Sequence, residues 1–157
     1  VAESYNEDID IVLSAVKKQC PRSRVYWHMT WAYDDDSTHA EFYRYDRSRK
    51  KMYESIVGAV KEKILPSNRF DGIIPCGTAI ENARENGLTG QTRDGFHLSE
   101  GLGRYIASLT VAQALTGKAD KCSFVPPADL SVEAQKGIAL KCAKAAVIKP
   151  FEVTANL

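Results

Sequence analysis

Arg24-Val25-Tyr26-Trp27-His28-Met29-Thr30-Trp31-Ala32-Tyr33 is the stretch that decides the fold class of this chain. Read as a strand, it alternates Val25, Trp27, Met29 and Trp31 on one face with Tyr26, His28 and Thr30 on the other. Both faces are largely apolar or aromatic, the pattern of a strand covered on both sides. Before it, Ser4 to Gln19 carries Ile9, Val12, Leu13 and Val16 at the spacing of an amphipathic helix, closed by Cys20-Pro21. After it, Asp34-Asp35-Asp36-Ser37 reads as a turn or loop. A second helix is expected from about Asp46 to Ile64, with Met52, Ile56, Ala59, Val60 and Ile64 as its apolar stripe and Pro66 as its end.

The same pattern continues to the C-terminus. Phe70 to Cys76 reads as a short buried strand around Ile73-Ile74. Thr78-Ala79-Ile80-Glu81 has the form of a capping box, so Gly77-Thr78 should open a short helix that decays into Asn86-Gly87. Ser99 is the expected N-cap of a helix from Glu100 to about Leu115, with Leu102, Tyr105, Ile106, Leu109 and Ala112 on its apolar face and Gly117 at its C-terminal cap. Pro126-Pro127 breaks the chain, and an Ala-rich helix follows from near Ser131 to Val147. Strands alternating with helices predict an α/β fold with a parallel sheet and helices on both faces. Two strands are few for a free-standing sheet of that kind.

The chain of 157 residues is long enough for a single domain with a sizeable core. Its 21 basic and 20 acidic side chains leave a net charge of +1, which gives no reason to expect nucleic acid or a polyanion as partner. No apolar run approaches the ~20 residues of a membrane helix. Val1 stands where an initiating Met would, so removal of a leader or of a longer N-terminal part is expected. The four cysteines, Cys20, Cys76, Cys122 and Cys142, form no C-x-x-C pair. Cys122 and Cys142 would suit a disulfide in an exported protein; four unpaired, mostly buried thiols is the other reading.

Chemistry concentrates in Arg93-Asp94-Gly95-Phe96-His97-Leu98-Ser99. Asp94 and His97 lie three positions apart on a Gly-containing turn just ahead of a helix. A carboxylate on one ring nitrogen fixes the tautomer of a histidine and stabilises the imidazolium, and the free nitrogen can then move a proton. The C-terminal edge of an α/β sheet is where open folds of this class place their sites. The plainer reading is an Asx-type turn beside a solvated histidine.

Thr92-Arg93-Asp94-Gly95-Phe96-His97-Leu98-Ser99, followed by Gly101-x-Gly103-Arg104-Tyr105, resembles the last signature block of SGNH (GDSL-type) hydrolases. Trp27-His28-Met29-Thr30-Trp31-Ala32-Tyr33, Met52-Tyr53-x-x-Ile56 and Ile74-Pro75-x-Gly77-Thr78-Ala79-Ile80-x-Asn82-Ala83-Arg84 resemble, in that order, one uncharacterised SGNH-like family. The resemblance runs from about Arg24 to Ala114. It implies a three-layer α/β/α, flavodoxin-like fold and hydrolysis of an ester, often an acetyl ester on a carbohydrate, without a cofactor. It assigns Asp94 as orienting acid and His97 as general base. It assigns no nucleophile, because no Gly-Asp-Ser or Gly-Asn-Ser block, no G-x-S-x-G elbow and no Gly-x-Asn-Asp block occurs here. Residues 1–157 are therefore expected to be the C-terminal part of a longer hydrolase domain. Loss of triad members costs ~10⁴ to 10⁶ in rate, so this segment alone should be inactive. An isolated segment would also have to cover an open sheet edge, by forming a homodimer or by swapping. For the compartment, the resemblance leans toward a secreted or periplasmic protein.

The remaining candidates carry less specific signals. Trp31 and Tyr33, at the C-terminal end of their strand, are expected near His97 as an aromatic wall for a sugar ring, with core packing as the alternative. Gly77-Thr78 at a helix start would suit an anionic group of a substrate, with simple capping as the alternative. His28, His39 and Asp34-Asp35-Asp36 lack the spacing of a metal loop and read as a solvated loop. Cys76, at a strand end, is the one in-chain alternative nucleophile. Lys17-Lys18 and Arg49-Lys50-Lys51 read as solvated helix faces. The competing class is a non-catalytic α/β module that binds carbohydrate or a protein partner.

Overall fold

Capping and periodicity account for most elements. The computed structural model describes residue 5, residues 7–123 and residues 130–157. In chain order the main elements are α1 (Asp8–Gln19), β1 (Tyr26–His28), a 3₁₀ turn (Ala40–Tyr45), α2 (Arg49–Ala59), β2 (Gly72–Ile74), α3 (Cys76–Glu85), α4 (Leu102–Thr116) and α5 (Leu130–Ile148). The fold is mixed α/β with a small sheet: β1 and β2 pair in parallel, Tyr26 opposite Gly72 and His28 opposite Ile74. The break expected at Pro126-Pro127 lies outside the described residues, as does Ser4. No helix among the described residues is long and apolar enough to cross a membrane.

α2 forms as its sequence dictates. The Ser48 hydroxyl accepts from the Lys51 N–H at its start, and the whole stripe Met52, Ile56, Ala59, Val60 and Ile64 is buried. The helix widens into a π turn (Val60–Ile64) and then tightens into a 3₁₀ turn (Leu65–Ser67) before β2. α4 begins at Leu102 rather than Glu100, so its N-cap is Gly101 and not Ser99; the Ser99 hydroxyl, two residues before the cap, still accepts from the Gly103 N–H at 3.0 Å. Gly117, with φ +69°, closes that helix as expected.

Two corrections concern the first strand. The ladder is shorter than Arg24 to Tyr33: Met29 donates to Ile74 O, but its own carbonyl accepts from Gly77 N at 3.0 Å. Pro75 has no N–H to extend β2, so the chain leaves the sheet and crosses the start of α3. Nor is β1 covered on both faces, because His28 and Thr30 are exposed. Beside it, Val12 of α1 is 60% exposed. Val12, Val16, Val25 and Tyr26 line an apolar groove of about 460 Å³.

Among the described residues, side chains pack into two cores. One joins Met29, Ala32 and Phe42 to α2; the other joins α3 and α4 to the small face of α5, made of Ala139, Cys142, Ala143 and Ala146. Trp31 packs against the second core and Tyr33 against the first, so the segment between them lies across the seam. The C-terminal tail runs along α3, which reads it with one side chain per turn. Thr78 donates to Pro150 O, Asn82 accepts from Thr154 N, and Asn86 both donates to Thr154 O and accepts from Leu157 N.

Candidate functional site

The loop between α3 and α4 folds back on itself before α4 begins. Thr92 and Leu98 form an antiparallel bridge, Arg93 N donates to His97 O at 3.0 Å, and Ser99 N donates to Gln91 O at 2.9 Å. Gly95 sits at the tip with φ +83°, where an L side chain is strained, and a Cβ there would meet Ser37 Cα at 3.0 Å. The tip is thus both left-handed and pressed against the Asp34–Ser37 loop.

This loop brings Asp94 and His97 together. Asp94 Oδ2 lies 2.7 Å from His97 Nδ1, while its other oxygen accepts the main-chain N–H groups of His97 (2.7 Å) and Phe96 (3.2 Å). The two readings of the motif therefore coexist, since the Asx-type turn is what aims the carboxylate at the ring. Partial desolvation pushes the Asp94 carboxyl up. The hydrogen bonds from the His97 ring and from the His97 and Phe96 amides outweigh it and bring the carboxyl down to about 2. Asp94 is consequently ionised throughout the neutral range. No described residue hydrogen-bonds His97 Nε2, and the side chain is 56% exposed.

One ring contacts the imidazole, and others stand behind it. Phe96 lies 4.3 Å from the imidazole between centroids; beyond Phe96 stand His39 at 4.9 Å and Tyr33 at 5.7 Å. Trp31 donates its indole N–H to Phe96 O at 2.8 Å. Trp31 and Tyr33 lie beyond the end of β1 rather than at the end of a strand, yet both reach the turn at Phe96, and Trp31 is fastened to it. Asp34 N also donates to Gly95 O at 2.8 Å. Next to the turn, a polar recess of about 310 Å³ is lined by Asp34, Asp36, Thr38, Thr92, Arg93 and Asp94.

Other candidates are relocated. Thr78 is fully buried; α3 starts at Cys76, and the Thr78 hydroxyl is engaged by Tyr53 OH at 2.9 Å and Pro150 O at 2.6 Å. It holds the tail and has no route to a substrate. The expected capping box is absent because Glu81 is taken by Arg84 and Arg49 instead. Cys76 is buried, its Sγ 3.7 Å from Ala107 O, and burial pushes its thiol up to about 12, which removes it as a nucleophile. All four cysteines are free, with Cys122 exposed and Cys142 buried, so the Cys122–Cys142 bridge does not form. The acidic run diverges, Asp34 turning to Arg84 and Thr92 and Asp35 to the Arg49 N–H, and among the described residues no group of His, Cys, Asp or Glu is arranged to hold a metal. Arg49 leaves its expected solvated face to pair with Glu81 at 3.3 Å.

Asp34, Arg84, His39 and Phe96 carry parts of this site that the sequence did not assign. Their contacts span 50 residues or more from Asp34 to Arg84 and Thr92, beyond the reach of any local pattern.

The crystal structure of a DUF4886 family protein from Bacteroides uniformis ATCC 8492 is similar to this chain, with a TM-score of 0.87 and 32% sequence identity over 98% of it. The chain spans 60% of that protein's length. No curated protein matches it. Residues 1–146 match the model of a domain of unknown function, DUF4886, and this chain therefore belongs to the DUF4886 family.

Proposed function

We propose that the domain to which this chain belongs is a serine ester hydrolase of SGNH type, acting on a small-molecule or carbohydrate ester. The observation that carries this reading is the 2.7 Å contact between Asp94 and His97 Nδ1, on a histidine whose side chain is 56% exposed. His97 takes the proton of a serine hydroxyl as that oxygen attacks the acyl carbon, then returns it to the leaving alcohol. Asp94 holds the ring and stabilises the imidazolium. The nucleophile and oxyanion donors come from residues outside these 157. Among the described residues no Ser, Thr or Cys side chain is hydrogen-bonded to His97. The extra length of the Bacteroides protein leaves room for such residues. The open side of β1 and the apolar face of α1 are where they would join the sheet, since parallel sheets are covered on both faces.

The second reading is a non-catalytic module that binds carbohydrate through the rings of Tyr33, His39 and Phe96. One experiment separates the two: hydrolysis of a chromogenic acetyl ester by the full-length protein, with and without His97→Ala. The hydrolase reading expects a loss of about 10³-fold or more in kcat. An unchanged rate in the variant refutes it, and sugar binding without turnover supports the module.

A further inference from the structure

We propose that Arg84 is the positioning residue of the Asp94–His97 turn, acting through Asp34; the catalytic meaning of this inference rests on the hydrolase reading above. The Arg84 side chain is only 4% exposed, and a guanidinium is kept there only if it is paired. Its Nη1 donates to Ala32 O at 3.1 Å and to the Glu81 carboxylate, and its Nη2 donates to the Asp34 carboxylate. Glu81, itself 5% exposed, is held in turn by Arg49. One cation on α3 thus grips the Ala32–Asp34 segment at a carbonyl and at a carboxylate, while its own position is fixed by Glu81 one turn back on the same helix and, through Glu81, by Arg49 of α2.

Asp34 passes this hold on to the turn by two routes. Its second carboxylate oxygen accepts the Thr92 hydroxyl, and its main-chain N–H donates to Gly95 O. The bonds that shape the turn, from Asp94 to His97 and from Arg93 to His97, lie within the turn itself. The Asp34 bonds are different, because they tie the turn to the rest of the fold. Arg84 therefore does not make the Asp94–His97 contact. It sets where that pair stands relative to any nucleophile brought in from elsewhere, and small displacements of that kind are costly in rate. A lysine at this site would supply one compact charge but could not span the carbonyl and both carboxylates.

The test is amide hydrogen exchange by NMR on the full-length protein, comparing the wild type with Arg84→Met and Arg84→Lys. The Asp34 N–H and the Trp31 indole N–H are the reporters, because both donate directly to the turn. The expected result is exchange about tenfold or more faster at these two sites in Arg84→Met and intermediate in Arg84→Lys, with the amides of β1, β2 and α4 unchanged. Unchanged exchange at Asp34 and Trp31 in a folded variant overturns the proposal, as does a uniform increase over the whole chain, which marks a merely structural role. If Arg84→Met does not fold, Thr92→Val cuts the Asp34–Thr92 link alone and should speed exchange at Asp34 in the same direction. Where the wild type hydrolyses esters, Arg84→Lys should lower kcat without moving KM or the pH profile. Where it does not, the hydrolase reading fails and the exchange result still decides the role of Arg84.

Discussion

Replacing either of two helical glycines by alanine should move stability in opposite directions. Gly77, in the first turn of α3, lies against the chain where it leaves β1: a Cβ there would stand 2.0 Å from Thr30 O and 3.0 Å from Thr30 C. Both atoms are backbone, so neither can swing aside as a side-chain tip would. Relief to an ordinary carbon–oxygen contact of about 3.3 Å requires a main-chain shift of about 1 Å. Overpacking of this kind costs about 1–3 kcal/mol. The same shift strains the bond from Gly77 N to Met29 O, putting about 1 kcal/mol more at risk. The better helix propensity of alanine returns about 1 kcal/mol. Gly77→Ala should therefore be destabilised by about 1–3 kcal/mol, a fall in Tm of about 3–10 °C at this chain length. Gly58, within α2, has nothing within 4 Å of the same added carbon. Gly58→Ala should gain about 0.5–1 kcal/mol from backbone entropy alone. Thermal melts followed by circular dichroism on the two variants decide the matter. If Gly77→Ala melts as high as Gly58→Ala, the close approach of α3 to Thr30 is not what fixes the path of the Trp31 segment.

Two further outcomes are expected. At pH 8 an alkylating reagent should modify the exposed Cys20 and Cys122 in the native protein and spare Cys76 and Cys142, which burial pushes up to about 12 and about 11; mass spectrometry before and after denaturation reads this directly, and rapid labelling of native Cys76 would contradict its burial. Because Asp94 in the folded protein titrates at about 2, below its ordinary value near 4, the stabilisation from its ionised form is complete above about pH 4 and is lost as pH falls through 2. Denaturant unfolding of Asp94→Asn across pH 2–5 should show a shallower acid dependence than the wild type, and parallel curves would refute the Asp94–His97 contact.

Periodic elements were readable because their partners are near in sequence. The α2 stripe from Met52 to Ile64 is buried in full, and the cap at Gly117 acts where the sequence puts it, while the N-cap of α4 falls on Gly101, two residues after Ser99. The Asp94–His97 pair was readable for the same reason, since both its side-chain and its main-chain bonds close within the turn. Errors arose where a distant segment decides. Nothing near Thr30 announces that the start of α3 will take the carbonyl of Met29 and end the ladder. Thr78-x-x-Glu81 has the form of a cap, but Glu81 is drawn off by Arg84 on its own helix and by Arg49 on α2. The α1 segment is helical as read, but of its expected stripe only Leu13 is buried; the sequence of this segment does not announce that Val12 and Val16 face an open groove.

The strap between α3 and the C-terminal tail has a consequence for sequence tolerance. Thr78, Asn82 and Asn86 engage the carbonyls of Pro150 and Thr154 and the N–H groups of Thr154 and Leu157, all of them main-chain atoms. The hydrogen bonding is therefore one-sided: the helix needs those three side chains, while the tail presents groups that nearly every amino acid carries, with Phe151 and Leu157 adding apolar contacts of their own. Position 154 can vary in side chain as long as it keeps an N–H, and proline is the substitution it should refuse, whereas Leu157 is held by its side chain as well, packed against the α3–α4–α5 core. Drift in the tail is then compatible with an unchanged docking path, whereas a change at Asn82 or Asn86 would release a tail whose own residues were never altered.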